Sequence, residues 1–153
     1  MMTYKKILVP LGNTYDNEKV FTQALRIALL EGSLLKLFHC LASDVYITPY
    51  GTFTTSELKT LLPQWQENLE QEKKKVITWL TEYSERASSQ GVATEWDLAI
   101  GDPSSSIVKM TKTWEPDLII MGRRGLTGLS EMFLGSVSNY VVHHASCSVL
   151  LIP

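Results

Sequence analysis

Five short apolar runs, separated by stretches with helical spacing, constrain this chain more than any other feature. They are residues 6–11 (KILVPL), 34–41 (LLKLFHCL), 92–100 (VATEWDLAI), 117–121 (DLIIM) and 148–152 (SVLLI). Mostly continuous apolarity over five to eight residues marks strands buried on both faces; only the third run alternates in part, through Trp96, Leu98 and Ile100. Between the first two runs, Val20, Phe21, Ala24, Leu25, Ala28 and Leu29 follow helical spacing. Asp16 offers the N-cap of that helix and Gly32 its stop. Residues 42–62 form the least regular stretch, read as a loop with one helical turn at 56–62. A long helix is expected from 63 to 90, with Trp65, Leu69, Val76, Leu80, Tyr83 and Ala87 on one stripe and Gly91 at its end. Asp102 followed by Pro103 is a well-matched helix start, and Ile107, Val108, Met110 and Trp114 supply that helix's apolar side. A glycine-bearing loop fills 122–135, and a short helix at 136–145 turns Val137, Tyr140 and Val141 inward.

The order is therefore βαβαβαβαβ without repeats or linkers. Strands separated by helices join through right-handed crossovers and form a parallel sheet covered on both faces. The expected fold is α/β, an open doubly wound five-stranded parallel sheet, in one domain over 1–153. Ligands of such sheets sit beyond the carboxyl ends of the strands, where the winding reverses. Two halves of similar length put that reversal between the first and fourth strands, so the loops at Gly12 and Gly122 face each other.

Composition narrows the function classes. With 14 basic and 16 acidic residues the net charge is -2, so no whole-protein electrostatic case for nucleic acid exists. No apolar run approaches the ~18 residues of a membrane span. The start, MMTYKKILVP, lacks the apolar core and cleavage site of a signal peptide. The two cysteines, Cys40 and Cys147, do not make a disulfide framework. A reduced, cytoplasmic protein is the expectation.

The chemistry-bearing segment is Gly122-Arg123-Arg124-Gly125, then nine residues, then Gly135-Ser136. It leaves a buried strand and opens a helix. Glycines let main-chain N–H groups turn towards a bulky anion and permit its close approach. A helix start favours negative charge through its unpaired N–H groups and macrodipole. The Ser136 hydroxyl adds a donor, Arg123 and Arg124 add charge, and Glu131 is the only acid from residue 118 onward. The ordinary alternative is that the glycines are turn residues and the serine a cap. The segment matches neither GxxxxGK[ST] nor GxGxxG.

In its motifs the chain resembles the universal stress proteins. The resemblance rests on G-x2-G-x9-G-[ST], met by Gly122, Gly125, Gly135 and Ser136. It extends to KILVP, LFHC, GDP at 101–103, DLIIMG at 117–122 and SVLLIP, and so spans the chain. It implies a Rossmann-like fold of the adenine nucleotide alpha hydrolase type. Keeping the glycines places the chain with that family's ATP-binding branch. By the same carry-over Gly122, Arg124, Gly125, Gly135, Ser136 and Val137 contact ribose and phosphates. Pro10, Gly12, Cys40 and Met121 belong to the adenine side and the first loop, Cys40 through its backbone. The family usually carries an Asp where this chain has Gly12; losing one hydrogen bond to the nucleotide costs about 1–3 kcal/mol. Asn13 and Asp16 are the candidate replacements. The implied cofactor is ATP, alone or with Mg²⁺, and the implied partner is a second copy paired through Ser148–Ile152, an apolar edge strand that needs cover.

Three functions stand beside one another at this point: a nucleotide-dependent regulatory module that at most hydrolyses ATP slowly, a true phosphotransferase or nucleotide-alpha-hydrolase relative with Asp102 as its metal carboxylate, and a protein-interaction module without nucleotide. No paired carboxylates, Ser/His/Asp set or phosphate-activating Lys surround the loop, which argues against an efficient enzyme. Adjacent His143 and His144 diverge by about 100° on a helix and do not make a metal pair. His39 reads as a satisfied core histidine, Cys40 and Cys147 as small core residues, and the four tryptophans as mostly core.

Overall fold

The structure is a computed structural model that describes residues 3–13, 16–42, 54–123 and 134–153. Its strands are β1 (Lys6–Pro10), β2 (Leu34–Leu41), β3 (Thr94–Ile100), β4 (Leu118–Gly122) and β5 (Ser148–Ile152). The helices α1 (Asn17–Glu31), α2 (Thr55–Ser89), α3 (Pro103–Trp114) and α4 (Ser136–His144) alternate with them. All neighbouring strands are parallel, in the order β3-β2-β1-β4-β5. The winding thus reverses between β1 and β4, as expected from the two similar halves.

Alternation along each strand sends side chains to two different layers. Ile7, Val9, Leu35, Leu37, Leu118 and Ile120 pack under α1 and α2, with Phe21 and Leu80 at the centre. Leu8, Phe38, Ile119 and Met121 point the other way, against Ile107 of α3 and Val141 of α4. Central strands buried on both faces explain their unbroken apolarity.

Local signals account for most element ends. Gly32 closes α1 in a left-handed conformation, φ 65°, where its N–H reaches the Ala28 carbonyl. Asp102 caps α3 by accepting from the Ser105 N–H at 2.8 Å, with Pro103 in the first turn. Asp16 stands at the N-cap of α1 yet makes no side-chain cap bond. Its ψ of -5° is helical, whereas a capping side chain needs extended backbone.

The expectation for 42–62 needs correction at its helical end. Helix α2 begins at Thr55, not at 63, and runs through Pro63. Its start is a capping box: the Thr54 hydroxyl accepts from the Glu57 N–H while the Glu57 carboxylate takes the Thr54 N–H at 2.7 Å. Pro63 is tolerated because this part of the helix is solvent-exposed, so the carbonyl it leaves free is hydrated. In α4 the buried residues are Ser138 and Val141, whereas Tyr140 is exposed and stacks on His144 with ring centroids 4.0 Å apart. No helix of the described residues is long and apolar enough to cross a membrane.

Candidate functional site

The site lies where β1 and β4 end. Pro10 is the buried last residue of β1. The next residue is tied down from β2, since the Leu11 N–H donates to the Phe38 carbonyl at 2.8 Å. His39 Nδ1 lies 2.6 Å from the Leu11 carbonyl. A carbonyl only accepts, so Nδ1 carries the proton. The ring's edge meets Trp79, and burial pushes the His39 pKa down, so the imidazole stays neutral. This is the core role expected of His39, with the addition that it steadies the site's first loop.

Gly12 follows, and Asn17 clasps it. The Gly12 N–H donates to Asn17 Oδ1 at 3.0 Å, and Asn17 Nδ2 donates back to the Gly12 carbonyl. Neither of the side chains expected to compensate for the missing Asp is the clasp. Asn13 is exposed and Asp16 makes no cap bond. Asn17 was missed because a polar residue in a first helical turn has many ordinary readings.

On the other side of the switch point, β4 ends with buried Met121 and half-buried Gly122. The Arg123 N–H donates to the Ile152 carbonyl, and the Gly135 N–H to the Arg123 carbonyl, both at 2.9 Å. Ser138, buried in the first turn of α4, donates its hydroxyl towards the Gly122 and Arg123 carbonyls, each at 3.2 Å. The carboxyl end of β4 and the start of α4 are thus laced together. Serine reads as polar surface in sequence, so Ser138 gave no signal of this role. Gly135 is the N-cap of α4 and has no side chain to close it, so the first N–H groups lack a side-chain cap. Ser136 is exposed beside them and Val137 half-buried. The Arg123 Nε is buried without a hydrogen-bond partner among the described residues. Arg124, Gly125 and Glu131 lie outside the described residues.

Strand parity then decides which of the expected residues share a layer. Met121 and Cys40 both pack in the cluster beneath α3 and α4. Pro10, two residues after Leu8 of that cluster, leaves β1 on the same face. Helix α4 covers that face as well. Pro10, Cys40, Met121 and the start of α4 therefore belong to one side of the sheet at its carboxyl end. Cys40 Sγ lies 3.4 Å from Ser106 Oγ and 3.5 Å from the Gly101 carbonyl, and burial raises its pKa, so the thiol is protonated and unreactive at neutral pH. Cys147 is likewise raised by burial.

Other candidates fall away. His143 and His144 are exposed. No group of three His, Cys, Asp or Glu residues that could hold a metal exists among the described residues. The Asp102 carboxylate is engaged by the Ser105 N–H, which holds its pKa below the usual range. The tryptophans are less buried than expected: Trp65, Trp79 and Trp114 are half-buried, and Trp96 is exposed on edge strand β3.

Comparison with known proteins agrees with this architecture. The family model described as universal stress protein family matches residues 3–153. The universal stress protein Sll1388 of Synechocystis sp. is 38% identical over 99% of this chain and 99% of its own length. The solved structure of the universal stress protein UspA from Lactobacillus plantarum superposes with a TM-score of 0.85 at 25% identity, covering 100% of both chains. A universal stress protein family protein from Arabidopsis thaliana, solved with AMP bound, shares the fold at a TM-score of 0.64 and 23% identity, over 97% of this chain and 90% of that one. A match over nearly every residue, on a sheet wound in this order, makes the chain a member of the universal stress protein family.

Proposed function

We propose that this protein binds an adenine nucleotide at the carboxyl ends of β1 and β4, taking ATP alone or with Mg²⁺, and acts as a nucleotide-dependent switch or scaffold rather than an efficient enzyme. The observation that carries the reading is the meeting, at the switch point, of a clasped first loop, a glycine strand end and an uncapped helix start. Gly135 supports it further: its φ of -58° does not require glycine, and bare backbone at a helix start suits the close approach of an anion. The main-chain N–H groups at the start of α4 would face the phosphates, with Ser136 as a side-chain donor, and Pro10, Cys40 and Met121 would flank the base. Arg124 and Gly125 complete the set by family resemblance. The AMP held by the Arabidopsis thaliana relative is consistent with adenine as the base.

Mg²⁺ would take most of its oxygen ligands from the phosphates and water, since the described residues offer it no carboxylate cluster. No described side chain is placed to activate an attacking water, so hydrolysis would be slow. Native mass spectrometry of the purified protein tests the reading. A co-purified or added adenine nucleotide held one per chain is the expected result; protein that stays empty at millimolar ATP overturns it.

One observation favours a second reading, an interaction module without nucleotide. Asn17 satisfies both main-chain groups of Gly12 without a ligand or a carboxylate. Under either reading we infer a homodimer through β5, which has a strand neighbour on one side only among the described residues. Sedimentation showing a dilute monomer would remove it.

A further inference from the structure

Four basic residues are half-buried among the described residues: Lys6, Lys36, Lys73 and Arg123. Three of them are satisfied. Lys6 donates to the Trp114 carbonyl, Lys36 pairs with Glu95 at 3.0 Å and Lys73 with Glu70 at 3.1 Å. Arg123 differs, because its Nε is buried and meets no acceptor among the described residues. A guanidinium is always charged and only donates. Leaving such a donor buried without an acceptor destabilises a fold. The Arg123 main chain, by contrast, is fully engaged. Its N–H donates to the Ile152 carbonyl at 2.9 Å, and its carbonyl accepts from the Gly135 N–H and the Ser138 hydroxyl. The residue is therefore fixed at the end of β4, hydrogen-bonded to the N-cap of α4.

We propose that Arg123 is the charge-selecting residue of the nucleotide site: its guanidinium pairs with the ligand's phosphate, so that the site takes phosphorylated nucleotides and rejects nucleosides. The inference rests on the nucleotide reading given above. Position supports it. The Arg123 N–H extends the ladder between β4 and β5 by one residue, so strand parity sends its side chain to the side of Met121, under α3 and α4. Pro10, Cys40 and the start of α4 belong to that same side. The Gly135 bond sets Arg123 beside the N–H groups that would face phosphates. A helix start offers partial charge alone, whereas the edge formed by Nε and a terminal nitrogen matches two phosphate oxygens with a full one. Pro10, Cys40 and Met121, on the base side, carry no charge, so telling nucleotide from nucleoside falls to this end. Arg123 is distinct from Arg124, which the family resemblance assigns to the ligand.

Calorimetry with ATP, adenosine and tripolyphosphate tests this on the wild-type chain and on Arg123→Met, with denaturant unfolding of both proteins without ligand. Methionine keeps an unbranched stem and removes the charge. The wild-type chain should bind ATP at least tenfold more tightly than adenosine. Arg123→Met should weaken ATP binding roughly ten- to hundredfold, leave adenosine unchanged and not lower the ligand-free midpoint. An unchanged ATP affinity, or an equal loss for ATP and adenosine, overturns the inference and leaves the nucleotide reading standing. A lowered midpoint, or a variant that does not fold, also overturns it and points to a partner within the chain, where Glu131 is the only acid from residue 118 onward. If the wild-type chain binds neither ATP nor adenosine, the nucleotide reading falls. The inference then stands only if tripolyphosphate binds and Arg123→Met abolishes that binding.

Discussion

The two faces of the sheet are built unequally. Among the described residues, the core cluster under α1 and α2 includes eighteen buried residues, Phe21, Leu37 and Leu80 among them, and that under α3 and α4 includes six, ringed by half-buried Cys40, Ala99, Val137, Val149 and Leu151. The thinner side is also the one that carries Pro10, Cys40, Met121 and the start of α4. The difference suggests a division of labour: one face supplies stability, which leaves the other free to keep backbone groups unpaired and side chains small.

Matched truncations would break this comparison first, because they carry the largest effect. Leu80→Ala opens a cavity among fully buried neighbours and should cost about 3–5 kcal/mol. Ile107→Ala, in the thinner cluster, should cost nearer 2 kcal/mol, because half-buried neighbours can close in. Equal losses in denaturant unfolding would mean that the faces share the load.

Gly135→Val sharpens the comparison from the functional side. A branched side chain at the N-cap places bulk where the proposed phosphates lie. Binding of ATP measured by calorimetry should weaken at least tenfold, about 1.4 kcal/mol, while stability changes by only about 1 kcal/mol. Unaltered affinity would remove the phosphate assignment and leave the fold untouched.

How much of this was legible in the sequence follows the same division. Continuous apolar runs and helix caps such as Asp102-Pro103 are local, so the strands could be read from residues alone, while the reversal between the first and fourth strands was only suggested by two halves of similar length. Three features could not. The early start of α2 was overshadowed by Pro63, although Thr54-x-x-Glu57 carries the signal. Ser138 replaces Tyr140 on the inner side of α4 because two strand-end carbonyls need a donor there, a demand set by tertiary structure. Asn17 acts on Gly12 across the turn between β1 and α1, and no spacing rule singles out that pair.

His39 links the thick face to the site and gives the comparison a pH dependence. Its folded pKa lies below the ordinary 6.5, chiefly through burial. The unfolded chain therefore takes up a proton first as pH falls below 6.5, and stability contributed by the neutral ring is lost towards the folded pKa. Denaturant midpoints should drop between pH 7 and the acid range. His39→Gln, which keeps a donor for the Leu11 carbonyl but does not titrate, should flatten that part of the profile. An unchanged slope would assign the acid sensitivity to other groups.

The smallest expected effect concerns how α1 is fastened to α2 on the thick face. Arg86 donates to Glu18 at 3.0 Å, while its guanidinium also lies 4.9 Å from the Phe21 ring centre and 5.1 Å from that of Tyr83. The Arg86 hydrogen bond holds the Glu18 pKa below 4.5, so the pair contributes above that pH and its contribution fades as the carboxylate is protonated. Both side chains are about half exposed, 49% and 58%, so solvent screens the charge and Glu18→Gln should cost at most about 0.5 kcal/mol. Arg86→Ala loses the ion pair together with the stacking of its planar head and stem over two rings, and should cost about 1 kcal/mol more. Salt separates the two contributions, since screening acts on the pair and hardly on the packing. If Glu18→Gln proves as costly as Arg86→Ala, charge rather than apolar contact fastens these helices, and the thick face owes less to its core than its burial implies.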